Sequence, residues 1–274
     1  MNQEERLDYL VEKFKEDSVR YKDMEVSRDP EEKRAVLRSL MNIRMPGEME
    51  EEILRVQDDY LQERAREKGI VTLAEIRTIA ETQNSKHRHR DKLSVWQGDI
   101  TRLEVGAIVN AANSQMLGCF VPMHTCIDNC IHTFAGVELR SACNRYMNHM
   151  RIRYGRDYEE PTGEAFLTEG YNLPAENVIH TVGPIVEGRL KDRHRNDLKK
   201  CYENILECCV KHGIRSVAFC CISTGVFHFP NDEAARIAAD TVSEYLDVKE
   251  DAFDRVIFNV FKDFDKEIYE SLLR

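Results

Sequence analysis

The chain has 274 residues, 42% of them hydrophobic and 8% aromatic, enough apolar matter for one large domain, or an ordinary one with an extension, and too much for wholesale disorder. A formal net charge of −10 argues against general nucleic-acid binding, so an anionic ligand must be held by local groups such as backbone N–H. No stretch approaches about 18 consecutive apolar residues, the N-terminus does not read as a signal peptide, and nine cysteines look unlike a secreted disulfide framework, so a cytoplasmic chain without a membrane span is expected.

Residues 1–90 read as a helical N-terminal extension. Apolar positions recur at helical spacing: Leu7, Leu10, Val11 and Phe14; Val36, Leu37, Leu40 and Met41; Ile53, Leu54, Val56, Tyr60 and Leu61. Pro30 fits a helix start, and Met45-Pro46-Gly47 punctuates between helices. The polar stretch from Thr82 to Asp91 reads as a linker, its basic run Lys86-His87-Arg88-His89-Arg90 as a solvated loop.

Residues 91–274 alternate short apolar strands with longer helices. Strands are expected at Leu93–Gln97, Ala107–Asn110, Ala165–Glu169, Asn177–Val182, Ser216–Cys221 and Arg255–Val260. Helices are expected at Asp128–Met147, Asn196–His212, Asn231–Leu246 and Asp265–Leu272. This alternation predicts an α/β sandwich around a largely parallel sheet.

Ligands of such sheets gather outside the carboxyl ends of the strands. Two loops qualify: the one from Ala111 to the Asp128 helix, and Ser223-Thr224-Gly225-Val226-Phe227-His228-Phe229-Pro230. The first contains Cys119, His124 and Cys126, two thiols and an imidazole in a short segment. Soft sulfur with borderline nitrogen suits zinc, and three protein ligands is the number a catalytic zinc uses when its fourth position is open. Cys201, Cys208, Cys209, Cys220 and Cys221 read as small buried apolar residues.

Taken together, Gly98-Asp99-Ile100-Thr101, Asn110-Ala111-Ala112-Asn113, Ile127-Asp128-Asn129-Cys130-Ile131-His132, Asn177 to Pro184 and Ser223 to Pro230 resemble the ADP-ribose-binding macrodomain over roughly residues 92–274. The resemblance implies a three-layer α/β/α fold with a mostly parallel mixed central sheet. The glycine run that ordinary macrodomain hydrolases carry before the aspartate is replaced here by Gly118–Cys126, and His228 stands where many macrodomains have glycine. The chain thus looks like the zinc-dependent branch, protein-ADP-ribose hydrolases associated with bacterial sirtuin-type ADP-ribosyltransferases.

That resemblance implies one Zn2+ on Cys119, His124 and Cys126, with Cys130 and His132 as competing ligands. It places Asp99 on the adenine amino group with Ile100 beside it, Phe261 on the adenine face, and Ser223, Thr224, Gly225, Val226 and Phe227 on the pyrophosphate, with the Phe227 ring against the distal ribose. Asn113 would hold the distal-ribose hydroxyls, and Asp128 would orient substrate or water. Asp99 could instead be a turn cap, Phe261 a core residue and Asp128 a helix N-cap; His180, which matches the family pattern too, reads as a core histidine or as one that backs a site residue. The implied activity is removal of mono-ADP-ribose from protein side chains, acidic ones first, at the anomeric carbon of the distal ribose. The implied partners are ADP-ribosylated protein, such as a lipoyl-carrier protein of the glycine-cleavage type, and the sirtuin-type transferase. Alternatives are a non-catalytic ADP-ribose reader, an O-acetyl-ADP-ribose deacetylase, and a structural zinc closed by a fourth protein ligand. The N-terminal helices either cover an edge of the domain or dock the modified carrier.

Overall fold

The computed structural model describes residues 1–274, the side chain of Glu250 excepted. The elements begin with helices α1 (Gln3–Glu16), α2 (Pro30–Ile43) and α3 (Glu51–Lys68), strand β1 (Val71–Thr72), helix α4 (Ile79–Gln83), and strands β2 (Leu93–Gln97), β3 (Leu103–Glu104) and β4 (Ala107–Ala112). Helices α5 (Ile127–Ala135) and α6 (Val137–Tyr154) follow, then strands β5 (Ala165–Glu169) and β6 (Asn177–Val182) and helix α7 (Asp192–His212). Strand β7 (Ser216–Phe219), helix α8 (Asn231–Val248), strand β8 (Arg255–Val260) and helix α9 (Asp263–Leu272) complete the chain. There are two compact units: Met1–Gly69 with Met116–Tyr158 and Tyr171–Leu173, and Ile70–Gln115 with Glu159–Gly170 and Pro174–Arg274. Among the described residues, no helix is long and apolar enough to cross a membrane.

The first unit is helical. Asn2 and Glu5 exchange side-chain-to-backbone bonds in a capping box that starts α1, and Asp29 caps α2 with Pro30 in its first turn. The apolar stripes read from the sequence then converge: Leu7, Leu10, Val11, Phe14, Leu37, Leu40, Met41, Ile53, Val56, Tyr60, Leu61 and Val137 form one buried cluster. Each such side chain contributes roughly 1.5–3 kcal/mol when fully buried. Helix α2 also packs on α5, and α5 on α6.

The expected single helix Asp128–Met147 is divided at Gly136, whose φ is +98°. Here the close approach of α3 requires glycine. A Cβ would lie 2.7 Å from Gln57 Nε2, while Gln57 Oε1 accepts the Val137 N–H at 3.1 Å and its Nε2 donates to Glu138. Local helix propensity runs through this point and tertiary contact overrides it.

The second unit is built on a six-stranded sheet in the order β2-β8-β7-β4-β6-β5. Its strands pair in parallel except β5, which runs antiparallel to β6, giving the mixed, mostly parallel sheet that was expected. Ala107, Ile108, Val109 and Asn110 are all buried, as befits a strand with no solvent face. Helix α7 packs on β5 and β6, α9 on β2 and β8, and α8 between α7 and α9. A second, two-stranded parallel sheet joins β1 to β3.

One expectation is corrected in part in this unit: Lys86, Arg88 and Arg90 are exposed, as a solvated run should be, but the segment is also docked. Arg88 binds Asp247 of α8 through two bonds of 2.6 and 2.7 Å, and His89, buried, meets the same carboxylate at 2.8 Å. His87 Nε2 lies 3.2 Å from Ser243 Oγ, and buried Ser85 donates to the Leu273 carbonyl. The partners lie far along the chain, so composition gave no sign of them.

Two outcomes are expected. Gly136→Ala should lower folding stability by about 1–3 kcal/mol in urea denaturation, through its positive φ and the crowding of Gln57; an unchanged midpoint would show that α3 gives way. Hydrogen bonds from Arg88 and then His89 hold the Asp247 carboxyl down at about 2 from its ordinary 3.8. A depressed carboxyl stabilises the fold fully above its unfolded value, and that contribution fades as pH falls toward the folded one. Asp247→Asn should therefore be less stable than the natural chain above pH 3.8, the gap closing near pH 2; a gap independent of pH would contradict the pairing.

Candidate functional site

The parallel strands of the second unit bring several predicted residues to one sheet edge. Asp99, Asn113, the Ser223 loop and Phe261 follow the carboxyl ends of β2, β4, β7 and β8 respectively. Asp99 Oδ1 accepts from the Thr101 N–H at 3.0 Å and the Thr101 hydroxyl at 2.6 Å, so it caps the short 3-10 turn Ile100–Arg102. Ile100 is buried. Asn113 Oδ1 accepts from the Gln115 N–H at 3.0 Å, which fixes the side chain above its own turn. Phe261 is 75% exposed and is no core residue.

The loop after β7 has features that folding alone does not explain. Ser223 and His228 carry φ of +65° and +55° without being glycine. The Ser223 hydroxyl is buried with no hydrogen-bond partner. Its close neighbour is Gly183, where a Cβ would stand 2.1 Å from Ser223 Oγ. A Cβ at Gly225 would meet nothing within 4 Å, so the main chain there lies open. Val226 is exposed and Phe227 half-buried. An open turn at a helix entrance with an unpartnered hydroxyl suits an anionic oxygen. His180, by contrast, is a core residue, held between Asn110 Nδ2 and Thr168 Oγ1 at 3.0 Å each and pushed by burial down to about 3, so it stays neutral.

In the helical unit, Cys119, His124 and Cys126 converge, with one donor atom from each within 4.8 Å of the others. Cys119 Sγ lies 3.5 Å from His124 Nδ1. Zinc bonds of roughly 2.3 Å to sulfur and 2.0–2.1 Å to nitrogen in tetrahedral array imply an S–N edge of about 3.6 Å, so the donor set suits zinc in kind and the Cys119–His124 edge suits it in length. Cys130 and His132 do not belong to this group. Burial above all, with Cys119 adding to it, pushes the Cys126 thiol up to about 12, and a bound divalent cation would reverse that.

The loop is shaped for this convergence. Gly118 has φ +80°, and a Cβ there would come within 2.8 Å of the His132 ring. Cys126, not Asp128, is the N-cap of α5, its sulfur accepting the Asn129 N–H at 3.4 Å. The capping role considered for Asp128 is thus taken by a thiol; the Asp128 carboxylate is buried in the first turn, 3.5 Å from His132 Nε2.

Several residues that build the loop were not singled out from the sequence. Arg140 of α6 donates to the carbonyls of Leu117 (2.7 Å), Met41 (3.1 Å) and Arg44, and its guanidinium lies 4.3 Å from the Phe120 ring centroid. Arg38 and Asn42 of α2 and Asn129 of α5 bond the loop directly. Only Arg140 left a signal: it interrupts the row Val137, Cys143, Met147, where a charge is out of place on a buried stripe.

The chain is similar to known proteins over most of its length. The model of the Macro domain family matches residues 109–238. A Treponema medium protein named protein-ADP-ribose hydrolase is 44% identical over 273 residues, covering 100% of both chains. A Staphylococcus aureus (strain MSSA476) protein of the same name is 43% identical over 85% of this chain and 82% of its own length. Among solved structures, the Trypanosoma brucei macrodomain in complex with ADP-ribose superposes with a TM-score of 0.64 at 28% identity, over 90% of this chain and 97% of that one.

Replacing Ser223 with Ala removes a buried hydroxyl that bonds to nothing in the protein. Folding stability should hold or rise by up to about 1 kcal/mol in urea denaturation, since an unsatisfied buried group is a net cost. A clear loss of stability would mean that the hydroxyl serves the fold.

Proposed function

Because the chain belongs to the macro domain family of protein-ADP-ribose hydrolases, we propose that it is a zinc-dependent member, removing mono-ADP-ribose from acidic protein side chains in the cytoplasm. The bond cleaved is the one at the anomeric carbon of the distal ribose. The observation that carries this reading is the group of Cys119, His124 and Cys126. Three protein donors leave one position of a tetrahedral zinc open, as catalytic sites do, whereas structural sites close with four. The same observation disfavours a purely structural ion completed by Cys130 or His132.

Zn2+ held there would supply Lewis acidity toward an oxygen of substrate or water. The chain's own groups do the rest. Asp99 accepts from the adenine amino group, with Ile100 presenting backbone beside it and the exposed Phe261 ring flanking the base. Ser223, Thr224, Gly225, Val226 and Phe227 give main-chain N–H groups to the pyrophosphate, and the Ser223 hydroxyl finds there the acceptor it lacks in the fold. The Phe227 ring packs against the distal ribose. Asn113 holds ribose hydroxyls, since an amide both donates and accepts, and Asp128 orients the sugar or the attacking water as a fixed acceptor. The modified substrate fits a lipoyl-carrier protein charged by a sirtuin-type transferase.

Cys119→Ala and His124→Ala should each lose zinc and lower single-turnover hydrolysis of an ADP-ribosylated acidic-residue substrate by at least about 100-fold, as loss of a metal function does. ADP-ribose binding should persist in both, and a chelator should mimic them in the natural chain. Full hydrolysis by a folded, metal-free variant would sink the proposal, and activity only on a small ADP-ribose ester would reassign the substrate.

A further inference from the structure

The metal loop is held from outside itself. Arg38 Nη2, on α2, donates to the carbonyl of His124 at 2.7 Å and to Asn129 Oδ1 at 3.0 Å. Asn129 passes the hold on, its Nδ2 donating to the carbonyls of Cys119 at 3.2 Å and Val121 at 3.0 Å while its N–H reaches Cys126 Sγ. Asn42, buried one turn further along α2, accepts from the Met123 N–H at 3.1 Å and donates to Thr133 Oγ1 at 2.8 Å. Each of the three donor residues is therefore bonded, directly or through Asn129, to a relay rooted in α2.

We infer that Arg38 and Asn42 are positioning residues for the metal, fixing the loop so that Cys119, His124 and Cys126 present their donors as a set already formed. The inference rests on the zinc reading above. Neither residue touches the donor atoms; Arg38 acts on the carbonyl of one ligand residue and, through Asn129, on the carbonyl of a second and the sulfur of a third. A segment that bends through positive φ at Met116, Gly118 and Met123 has no regular ladder to keep it in place. Its conformation must come from side chains: Arg140 of α6 holds its start at Leu117, and Arg38 and Asn42, with Asn129, hold the stretch that carries the three donors. Partners of this kind, one bond removed from the metal, commonly change metal affinity about 10–100-fold when lost. Helix α2 thereby gains a role in shaping this loop.

The test uses the full chain, with Arg38→Ala and Arg38→Lys, titrated with Zn2+ against a chromophoric chelator and with Co2+ followed by its absorption. The natural chain should take up one zinc. Arg38→Ala should bind about 10–100-fold more weakly, with shifted Co2+ bands. Arg38→Lys should fall between them, because an ammonium keeps a donor but not the planar fork. Melting of the metal-free proteins and their affinity for ADP-ribose should agree within about twofold, which separates positioning from folding. If Arg38→Ala is unstable, Arg38→Lys carries the comparison. A natural chain that binds no zinc would overturn the metal reading itself. Zinc binding by the natural chain matched by both variants would overturn this inference alone.

Discussion

A single guanidinium ties the end of one helix to the loop that carries Cys119, His124 and Cys126. Arg140 lies buried, and burial lowers its pKa to about 10, still high enough to keep it charged at neutral pH. It is tolerated because it bonds to carbonyls that need a donor. Those of Met41 and Arg44 stand at the C-terminus of α2, where a helix leaves carbonyls unsatisfied and favours positive charge. The third, on Leu117, stands just before the Gly118–Cys126 loop. Stripping the partners from such a charge typically costs about 3–5 kcal/mol. One group thus joins the start of the loop to the end of α2.

What was legible in the sequence followed from local pattern. Strands β2, β5, β6 and β8 match their expected limits because each is a short apolar run bounded by turn residues. The Cys119–His124–Cys126 group was visible because its members lie close along the chain. What escaped was decided by partners distant in sequence. Nothing near Gly136 announces Gln57, nothing near Arg88 announces Asp247, and nothing in α2 marks Arg38 or Asn42 as serving a loop that begins after β4. The alternative reading of Asp128 as a helix cap falls away for a different reason: propensity ranks aspartate high at helix starts, but the cysteine just before the helix takes the place.

The loop after β7 presents a different balance. Left-handed backbone at two non-glycine residues costs of order 1–3 kcal/mol each, and the buried Ser223 hydroxyl adds to it. The surrounding structure sustains the turn: the Phe229 N–H bonds back to the Ser223 carbonyl at 3.0 Å, and the Val186 N–H to that of Phe227 at 2.9 Å. Strain kept in place by such bonds is ready before a ligand arrives, so little of the binding energy is spent on ordering the loop.

Gln57 shows where this protein can and cannot be cut. It sits in the third helix, yet its side chain satisfies the first N–H of α6 and forces glycine at the corner between α5 and α6. A fragment starting at residue 91 would keep that corner, shaped for an amide no longer there, and would keep Arg140 without the carbonyls of Met41 and Arg44. The family's recognisable module is therefore not the portable one. A graft or fusion meant to carry the Cys119–Cys126 loop into another protein has to carry the N-terminal helices with it.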